Sequence, residues 1–254
     1  MSITPEFLIN HGDALEWLAS LPANSVNLIT TDPPYESLEK HRAIGTTTRL
    51  KHSKASSNDW FQIFPNSKFE ELFSQFYRVL QRDSHFYLFC DPETAFVAKP
   101  IGEKVGFKFW KPLIWDKKRI GMGYHYRSRY EFILFFEKGK RKLKNLGLAD
   151  IIEEPRIHNG YPTEKPVPVN EIFILQSTDP GEIILDPFMG SGSAGVAALK
   201  NGRVFWGNDI CQEAYNISKE RFLLLHPARE RTQERVVKPS KSSKQDLNQL
   251  SLGI

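Results

Sequence analysis

Short apolar runs alternate with amphipathic segments along most of the chain, and this alternation is typical of α/β proteins. Apolar runs predict strands at residues 7–10, 26–30, 85–90, 109–115, 132–136, 183–185 and 204–207. Apolar positions at helical spacing predict helices at residues 14–18, 69–80, 93–105, 169–176, 193–200 and 215–225. Because strands and helices follow one another in turn, we expect an open, mostly parallel, twisted sheet with helices on both faces.

One pair of predicted strands departs from this alternation. The strands at residues 109–115 and 132–136 are joined by a glycine-punctuated loop that is rich in cations and aromatic rings. Two strands joined by such a loop fit an antiparallel pair at a sheet edge. We expect the antiparallel strand to lie at an edge of the sheet, with the loop exposed.

Three polar stretches lack the periodicity of core elements and are predicted to be surface loops. They are residues 36–58, 119–129 and 137–162. Beyond residue 226 the chain is rich in lysine, serine, glutamine and asparagine, so residues 227–254 are predicted to form a disordered tail. Residues 1–226 are then expected to form a single domain.

The composition fits a globular protein, with 254 residues of which 40% are hydrophobic and 25% charged. No apolar run is long enough to cross a bilayer, and residues 1–6 lack the basic and apolar regions of a signal peptide. We therefore expect a cytoplasmic protein with no membrane association. Cys90 and Cys211 belong to no metal-spaced cluster, so no metal site is predicted.

The net charge of +4 is small and says little about binding to nucleic acid. The distribution of the charges says more. Basic residues gather in aperiodic stretches, which fits either solvated loops or loops that contact phosphate groups. The cationic and aromatic candidates for such contacts are Lys40, Arg42, Arg49, Lys51, Tyr124, His125, Arg127, Arg129, Lys140 and Arg141. For Arg127 and Arg129, ion pairing with acidic neighbours is an equally good interpretation.

The tetrapeptide Asp32-Pro33-Pro34-Tyr35 follows the predicted strand at residues 26–30. Prolines lack N–H groups and fix φ, so the turn is stiff and its carbonyl groups are free to accept hydrogen bonds. The Asp32 carboxylate and the Pro33 carbonyl suit an amino group with two hydrogens, and the Tyr35 ring offers a face to a planar base. Taken alone, the tetrapeptide fits equally well a stiff turn with Asp32 as a local cap.

A second motif follows the predicted strand at residues 183–185. Gly190, Gly192 and Gly195 satisfy G-x-G-x-x-G before a helix, and Asp209 ends the next strand. Glycines let the backbone approach a ligand, and the carboxylate can accept hydrogen bonds from ribose hydroxyl groups. The motif predicts a nucleoside cofactor without saying which, and a tight glycine turn with Asp209 as a helix cap is the structural alternative.

Together, residues 32–35 and 186–192 resemble the motifs of the S-adenosylmethionine-dependent amino-group DNA methyltransferases. The catalytic motif precedes the cofactor motif, as in the permuted beta group of that family. Further matching pieces lie at residues 12–15, 25–26, 78–80, 115–117 and 163–166. The resemblance implies a circularly permuted, Rossmann-like class I methyltransferase fold.

The resemblance also implies roles for individual residues. The implied catalytic residues are Asp32, Pro33, Pro34 and Tyr35. The implied S-adenosyl-L-methionine contacts are Asp13, Asp32, Lys165, Asp186, Phe188, Gly190, Ser191, Gly192 and Asp209. Among them, Asp209 would bind the ribose, Asp13 would lie near the adenine ring and Lys165 near the methionine end. The phosphate-contact candidates become candidate contacts to double-stranded DNA.

The implied reaction is site-specific methylation of the exocyclic N6 of adenine in DNA, by base flipping and direct transfer. Adenine is preferred because adenine enzymes of the family mostly carry aspartate where this chain has Asp32, whereas N4-cytosine enzymes tend to carry serine. N4-cytosine methylation, an NAD-dependent oxidoreductase, a non-catalytic DNA-binding module and an RNA or protein substrate remain open. The sequence allows a partner restriction endonuclease or none, and a monomer or a homodimer.

The chain departs from the family pattern in two places. The stretch from residue 137 to residue 162 is shorter than the target-recognition region of many relatives, so we expect the three predicted loops to share base reading. Ser193 also stands where relatives usually have threonine. This hydroxyl-for-hydroxyl exchange is expected to matter little.

Overall fold

An eight-stranded sheet forms the centre of the protein in a computed structural model that describes residues 6–36, 62–121, 126–158, 160–161 and 163–225. The strands are β1 (Phe7–His11), β2 (Val26–Thr31), β3 (Leu80–Cys90), β4 (Lys108–Asp116), β5 (Tyr130–Lys138), β6 (Ile151–Glu153), β7 (Ile183–Asp186) and β8 (Val204–Asp209). The helices are α1 (Ala14–Ser20), α2 (Phe69–Val79), α3 (Pro92–Val105), α4 (Val167–Ser177), α5 (Ser193–Lys200) and α6 (Gln212–Leu225). Within these described ranges, no helix combines the length and the apolarity needed to span a bilayer.

The strand order is β1-β8-β7-β2-β3-β5-β4-β6. The first five strands run parallel to one another, and β5 is antiparallel to both β3 and β4. The predicted mostly parallel sheet with helices on both faces is confirmed. The predicted position of the antiparallel strand is wrong, because β4 and then β6 pair beyond β5 and move the edge of the sheet outward.

Strand β6 lies inside residues 137–162, which the sequence pattern assigned to a loop. It has only three residues, of which Ile152 alone is buried, so it carries no usable periodicity. Its pairing with β4, where Ile152 lies opposite Trp115, defines it instead. The loop prediction is therefore wrong for these three residues.

Two apolar cores fill the space between the sheet and its two helical layers. On one face, α1, α2 and α3 cover the sheet, and Phe73 of α2 packs its ring 5.2 Å from that of Phe86 in β3. On the other face, α4, α5 and α6 do the same, with the rings of Phe173 and Tyr87 stacked at 4.4 Å. The helically spaced phenylalanines of α2 are core residues, as the sequence predicts.

Some of the residues singled out in the sequence lie outside the described ranges. These are the 36–58 loop beyond residue 36, with Lys40, Arg42, Arg49 and Lys51, then Tyr124 and His125, and the tail at residues 227–254. The single domain at residues 1–226, the disordered tail and the contacts of these side chains stay predictions.

Replacing Phe73 by alanine is expected to lower the free energy of unfolding by about 3–5 kcal/mol, because its ring is fully buried among other rings. Phe96→Ala is the matched control, since Phe96 is 83% exposed and its loss should change stability by less than about 0.5 kcal/mol. Urea unfolding followed by circular dichroism measures both values. Similar values for the two variants would contradict the packing described for α2.

Candidate active site

The two sequence motifs meet because β2 and β7 are parallel neighbours. Leu28 and Ile29 of β2 pair with Ile184 and Leu185 of β7, so Asp32 and Asp186 emerge at the same edge of the sheet. The Thr31 hydroxyl donates a hydrogen bond of 2.7 Å to Asp186 Oδ1. The two strand ends therefore form one crevice.

A cavity of about 530 Å³ opens at these strand ends. Its volume is within the range of cofactor and ligand pockets in general. The predicted site residues that line it are Asp13, Asp32, Pro33, Pro34, Tyr35, Lys165, Asp186, Phe188, Gly190, Ser191 and Asp209. Gly192 is the predicted cofactor contact that does not line the cavity.

The glycines of the second motif have different physical roles. A Cβ atom on Gly192 or Gly195 would lie 2.7 or 2.3 Å from Phe222 Cζ, so both are needed for packing against α6. A Cβ on Gly190 would have its nearest neighbour at 3.7 Å, on the ring of Tyr161. Gly190 is therefore the glycine at which the backbone faces open cavity, and its φ of 51° is in the left-handed region.

Asp209 is held at the cavity wall by backbone N–H groups. Its Oδ2 accepts from Gly190 N and its Oδ1 from Cys211 N, both at 2.8 Å. Each carboxylate oxygen retains a second lone pair, so Asp209 can still accept hydrogen bonds from ribose hydroxyl groups. Burial raises the pKa of this carboxyl group despite the two N–H donors. Asp209 can thus be a local cap, as one prediction has it, and still bind a ribose, as the other has it.

Asp13, like Asp209, both accepts hydrogen bonds from nearby backbone N–H groups and lines the cavity. It is the N-cap of α1, where its Oδ1 accepts from Leu15 N at 2.8 Å and from Glu16 N at 3.1 Å, and it also lines the cavity. The predicted N-cap is confirmed. A contact with the adenine ring of the cofactor stays a prediction.

The turn after β2 is fixed by its partner segment. Pro34 O accepts a hydrogen bond of 2.6 Å from Phe64 N, and the backbone of Tyr35 forms a β-bridge with Phe64. The Phe64 ring in turn lies edge-on to Phe188 of the second motif, with centroids 5.2 Å apart. Tyr35 is thereby held at the cavity wall, and burial raises the pKa of its hydroxyl group, so the ring is neutral.

A chain of alternating charges runs from Asp32 into the sheet. The Lys165 ammonium forms an ion pair with Asp32 Oδ2 and lies 3.0 Å from Glu131 Oε1. Glu131 Oε2 is 2.7 Å from Lys117 Nζ. The structure places the Lys165 ammonium on the Asp32 carboxylate. A position near the methionine end of the cofactor, which the sequence resemblance implies for Lys165, stays a prediction.

These contacts set the protonation states of the site. Burial raises the pKa of Asp32 to about 6, although the Lys165 ammonium opposes this rise. Burial acts on Glu131 in the same direction, but Lys165 and Lys117 outweigh it and hold the pKa of Glu131 below its usual value. Burial would lower the pKa of Lys165, but Asp32 and Glu131 hold it above its usual value. At neutral pH Asp32 is therefore an ionised acceptor.

The second oxygen of Asp32 is available for a ligand. Asp32 Oδ1 is buried and has no hydrogen-bond partner among the described residues. A buried oxygen of this kind is costly to leave unpaired, so it can accept a hydrogen bond from a donor that enters the cavity. An amino group next to the ring of Tyr35 is such a donor.

The predicted DNA contacts divide into two groups. Arg127 and Arg129 are exposed just before β5. The Arg129 carbonyl accepts a hydrogen bond from the N–H of Lys117, which lines the cavity, and the Arg129 guanidinium forms a 2.6 Å ion pair with Asp116. Ion pairing, the alternative interpretation of Arg129, is thus present. Whether either arginine also contacts DNA stays a prediction.

Lys140 and Arg141 lie at the opposite end of the sheet. The Arg141 guanidinium pairs with Glu182, just before β7, at 2.7 Å, and the Lys140 backbone N–H donates to Asp83 at the amino-terminal side of β3. Lys140 and Arg141 therefore lie away from the cavity. Whether either of them contacts DNA stays a prediction.

Two acidic residues of the cavity wall were not singled out from the sequence. Glu131 interrupts the apolar run of β5, and this interruption by a charged residue is the signal that could have indicated a buried role. Glu164 pairs with Arg221 of α6 at 2.7 Å and so ties the segment before α4 to the glycine motif. In the described part of the chain, no group of three or more potential ligand side chains is placed to hold a metal ion.

A protein-family model described as DNA methylase matches residues 26–220, which is most of the chain. The chain belongs to the amino-group DNA methyltransferase family. Members of this family use S-adenosylmethionine as the methyl donor, and the cavity has the glycine turn and the second-strand carboxylate that a nucleoside cofactor needs.

The methyltransferase is similar to two proteins of Escherichia coli K12. One is YubD, with 29% identity over 85% of this chain and 90% of the relative. The other is the DNA adenine methyltransferase YhdJ, with 28% identity over 81% of this chain and 79% of the relative. The similarity thus extends over about four fifths or more of each chain.

Solved structures support the fold of the methyltransferase. TTHA0409 from Thermus thermophilus, complexed with S-adenosyl-L-methionine, superposes with a TM-score of 0.64 at 22% identity, over 87% of this chain and 94% of that one. The cytosine-N4-specific PvuII DNA methyltransferase gives a TM-score of 0.66 at 18% identity, over 87% of each chain. At these identities the likeness shows a shared class I methyltransferase fold.

The pKa of Asp186 leads to a prediction about stability. Burial raises this pKa to about 7, and the hydrogen bonds from Thr31 and the Phe188 N–H reduce the rise. Since the unfolded value is about 4, the native state binds the proton more tightly, so this group's contribution to stability is present below pH 4 and is lost as pH rises towards 7.

Asp186→Asn should remove that contribution, so the difference in unfolding free energy between wild type and variant should change steadily between about pH 4 and pH 7. Urea unfolding of the ligand-free protein at several pH values measures it. Asp150→Asn, which changes an exposed carboxylate, is the control. A difference between wild type and Asp186→Asn that stays constant over this range would contradict the raised pKa.

Proposed function

We propose that the protein transfers a methyl group from S-adenosylmethionine to the exocyclic N6 of adenine in double-stranded DNA. The observation that carries this proposal is the buried, unpaired Oδ1 of Asp32 at the wall of the cavity shared with Gly190 and Asp209. One half of the cavity offers acceptors to an amino group, and the other offers a binding surface to a nucleoside.

The residues of the turn would act on a base that has left the duplex, because its amino nitrogen is unreachable within the stacked helix. The ring of Tyr35 would stack on the base, as aromatic side chains do on single bases. Asp32 Oδ1 would accept one amino hydrogen, and Pro33 O the other. These contacts would turn the nitrogen lone pair out of conjugation and direct it along one line of attack.

S-adenosylmethionine would supply an electrophilic methyl group to this nitrogen. The bond between its sulfur and the methyl carbon would break as the N–C bond forms, and S-adenosylhomocysteine would be the leaving group. Once the N–C bond has formed, the nitrogen carries a positive charge and its N–H proton is strongly acidic. Asp32 Oδ1 accepts that proton, and with a pKa of about 6 the group can release it to water at neutral pH. No covalent bond between enzyme and base is required.

Two observations support adenine over cytosine as the target. Asp32 occupies the first position of the tetrapeptide, where adenine enzymes of the family mostly have aspartate. YhdJ, which is similar over most of this chain, is named a DNA adenine methyltransferase. Against this, the PvuII enzyme of the same fold is cytosine-N4-specific, so the base has to be identified from the product.

The same proposal includes methylation at a specific DNA sequence and a partner restriction endonuclease. Several relatives are named Type II methyltransferases, among them M.HpaI of Haemophilus parainfluenzae, with 25% identity over 82% of this chain. Phosphate contacts from the cavity side of the sheet, where Arg127 is exposed, would position the duplex. A partner endonuclease would then share the recognition sequence.

Asp32→Ala is expected to reduce methyl transfer by at least about 100-fold, because it removes the acceptor that orients the amino group. Binding of S-adenosylhomocysteine, measured by calorimetry, should stay within a few-fold of wild type. Glu103→Ala, which removes an exposed carboxylate near the end of α3, is the control and should retain full activity. Near-normal turnover by Asp32→Ala would refute the proposed role.

The base is identified by incubating mixed-sequence DNA with enzyme and labelled S-adenosylmethionine, then digesting the DNA to nucleosides for mass spectrometry. N6-methyladenine is expected. N4-methylcytosine would refute the choice of base, and no label in DNA would refute DNA methylation altogether. A parallel titration with NAD should show no binding, and binding would favour the oxidoreductase alternative.

A further inference from the structure

Glu131 is the buried centre of the charge chain behind Asp32. Its side chain is only 9% exposed, and both of its oxygens face ammonium groups, Lys165 at 3.0 Å and Lys117 at 2.7 Å. It belongs to β5, whereas Lys117 follows β4 and Lys165 precedes α4. Three separate segments of the chain thus bring charged groups together beside the catalytic turn.

Stability alone does not account for this arrangement. Taking charged groups out of water costs free energy, and replacing a buried ion pair by apolar side chains of similar size is often neutral or stabilising. A lysine between two carboxylates does, however, have a fixed position, although its long side chain would otherwise be free to move. The fixed position of Lys165 matters because its ammonium contacts Asp32 Oδ2.

We propose that Glu131 is a positioning residue for methyl transfer, which holds the Lys165 ammonium on Asp32 Oδ2 so that Asp32 Oδ1 stays free for the amino group of the base. This inference rests on the proposed role of Asp32. Without Glu131, the ammonium keeps Asp32 as its one carboxylate partner among the described residues, and its three N–H donors can engage both carboxylate oxygens.

The charge of Glu131 has a second effect, on the basicity of Asp32. The titratable groups that act on Asp32 are Lys165, Glu131 and Lys117, and Asp186 and Tyr35 are electrostatically coupled to it from β7 and from its own turn. The negative charge of Glu131 opposes that of the two lysines, so it keeps Asp32 basic enough to take the proton released from the amine. Removing the negative charge of Glu131 should therefore lower the pKa of Asp32, and removing the positive charge of Lys117 should raise it.

Two nearly isosteric changes give shifts of opposite sign. Glu131→Gln removes a negative charge, so Asp32 should ionise at lower pH and the acidic limb of the pH–rate profile should move down by about half a unit or more. Lys117→Gln removes a positive charge, and Lys165 is then the one cation of the charge chain that pairs with Glu131. The acidic limb of the pH–rate profile should therefore move to higher pH. A merely structural role would lower activity without moving the limb in either direction.

The turnover number kcat tests whether Glu131 positions the Asp32 side chain. Glu131→Gln should lower kcat roughly 10- to 100-fold, because the orientation of Asp32 is lost, while KM for S-adenosylmethionine stays within about twofold. Glu131→Asp keeps the charge but shortens the reach, so it should lower kcat and leave the acidic limb in place. Glu103→Gln is the matched control, since Glu103 makes an exposed ion pair with Lys99 near the end of α3, and it should behave as wild type.

A measurement on the ligand-free protein separates this inference from the proposed function. The pKa of the Asp32 carboxyl group, followed by carbon-13 NMR in the full chain, should be lower in Glu131→Gln and higher in Lys117→Gln than in wild type. If wild type transfers no methyl group to DNA, the proposed function fails, and this titration still decides whether Glu131 controls Asp32.

Unchanged kcat and an unchanged acidic limb in Glu131→Gln would overturn the inference, as would an Asp32 pKa that is the same in all three proteins. Shifts of the same sign in Glu131→Gln and Lys117→Gln would overturn it as well. Circular dichroism and thermal unfolding confirm that each variant is folded. If Glu131→Gln does not fold, the upward shift in Lys117→Gln carries the test, and its absence overturns the proposal.

Discussion

The parallel pairing of β2 with β7 is the contact on which the candidate site depends. The two strands are remote in sequence, and each ends in a carboxylate motif that offers little chemistry by itself. Their pairing places Asp32 and Asp186 at one edge, and the hydrogen bond from Thr31 to Asp186 locks the two ends together. Because β7 also pairs with β8, Asp209 joins the same edge from the next strand. The glycine motif and the Asp32 turn thus share one cavity as a consequence of strand order.

The site keeps charged groups in a place where burial disfavours them, and the balance of charges decides what each can do. Asp32 is paired with Lys165, whose second partner is Glu131. If Lys165 faced Asp32 alone, the carboxylate would be a weaker base, and if Asp32 had no cation it would be protonated over a wider pH range. The alternating chain gives an intermediate result, with the pKa of Asp32 raised to about 6 by burial against the pull of Lys165. This value suits an acceptor that must take up a proton and release it near neutral pH.

The sequence predicts the local features of this protein well, because they follow from patterns within a few residues. All seven predicted strands and six predicted helices are present, and both motifs lie at strand ends. Features that depend on contacts between distant segments were missed or misplaced. Strand β6 exists through its pairing with β4, and Lys165 meets Glu131 across two segments. Gly192, a predicted cofactor contact, does not line the cavity, and a Cβ atom there would meet Phe222 of α6.

Asp32 and Asp186, two carboxylates of the cavity wall, differ in the groups that offset the cost of burying their charge. Asp32 has a lysine partner, whereas the hydrogen bonds recorded for Asp186 Oδ1 come from the neutral Thr31 hydroxyl and the Phe188 N–H. Neutral donors offset burial less than a cation does, which explains why the pKa of Asp186 reaches about 7. The cavity therefore has an excess of negative charge on the cofactor side once Asp186 ionises. A cofactor that carries a positive charge, as S-adenosylmethionine does at its sulfonium, suits this side, whereas the neutralised side of Asp32 and Lys165 suits an uncharged base.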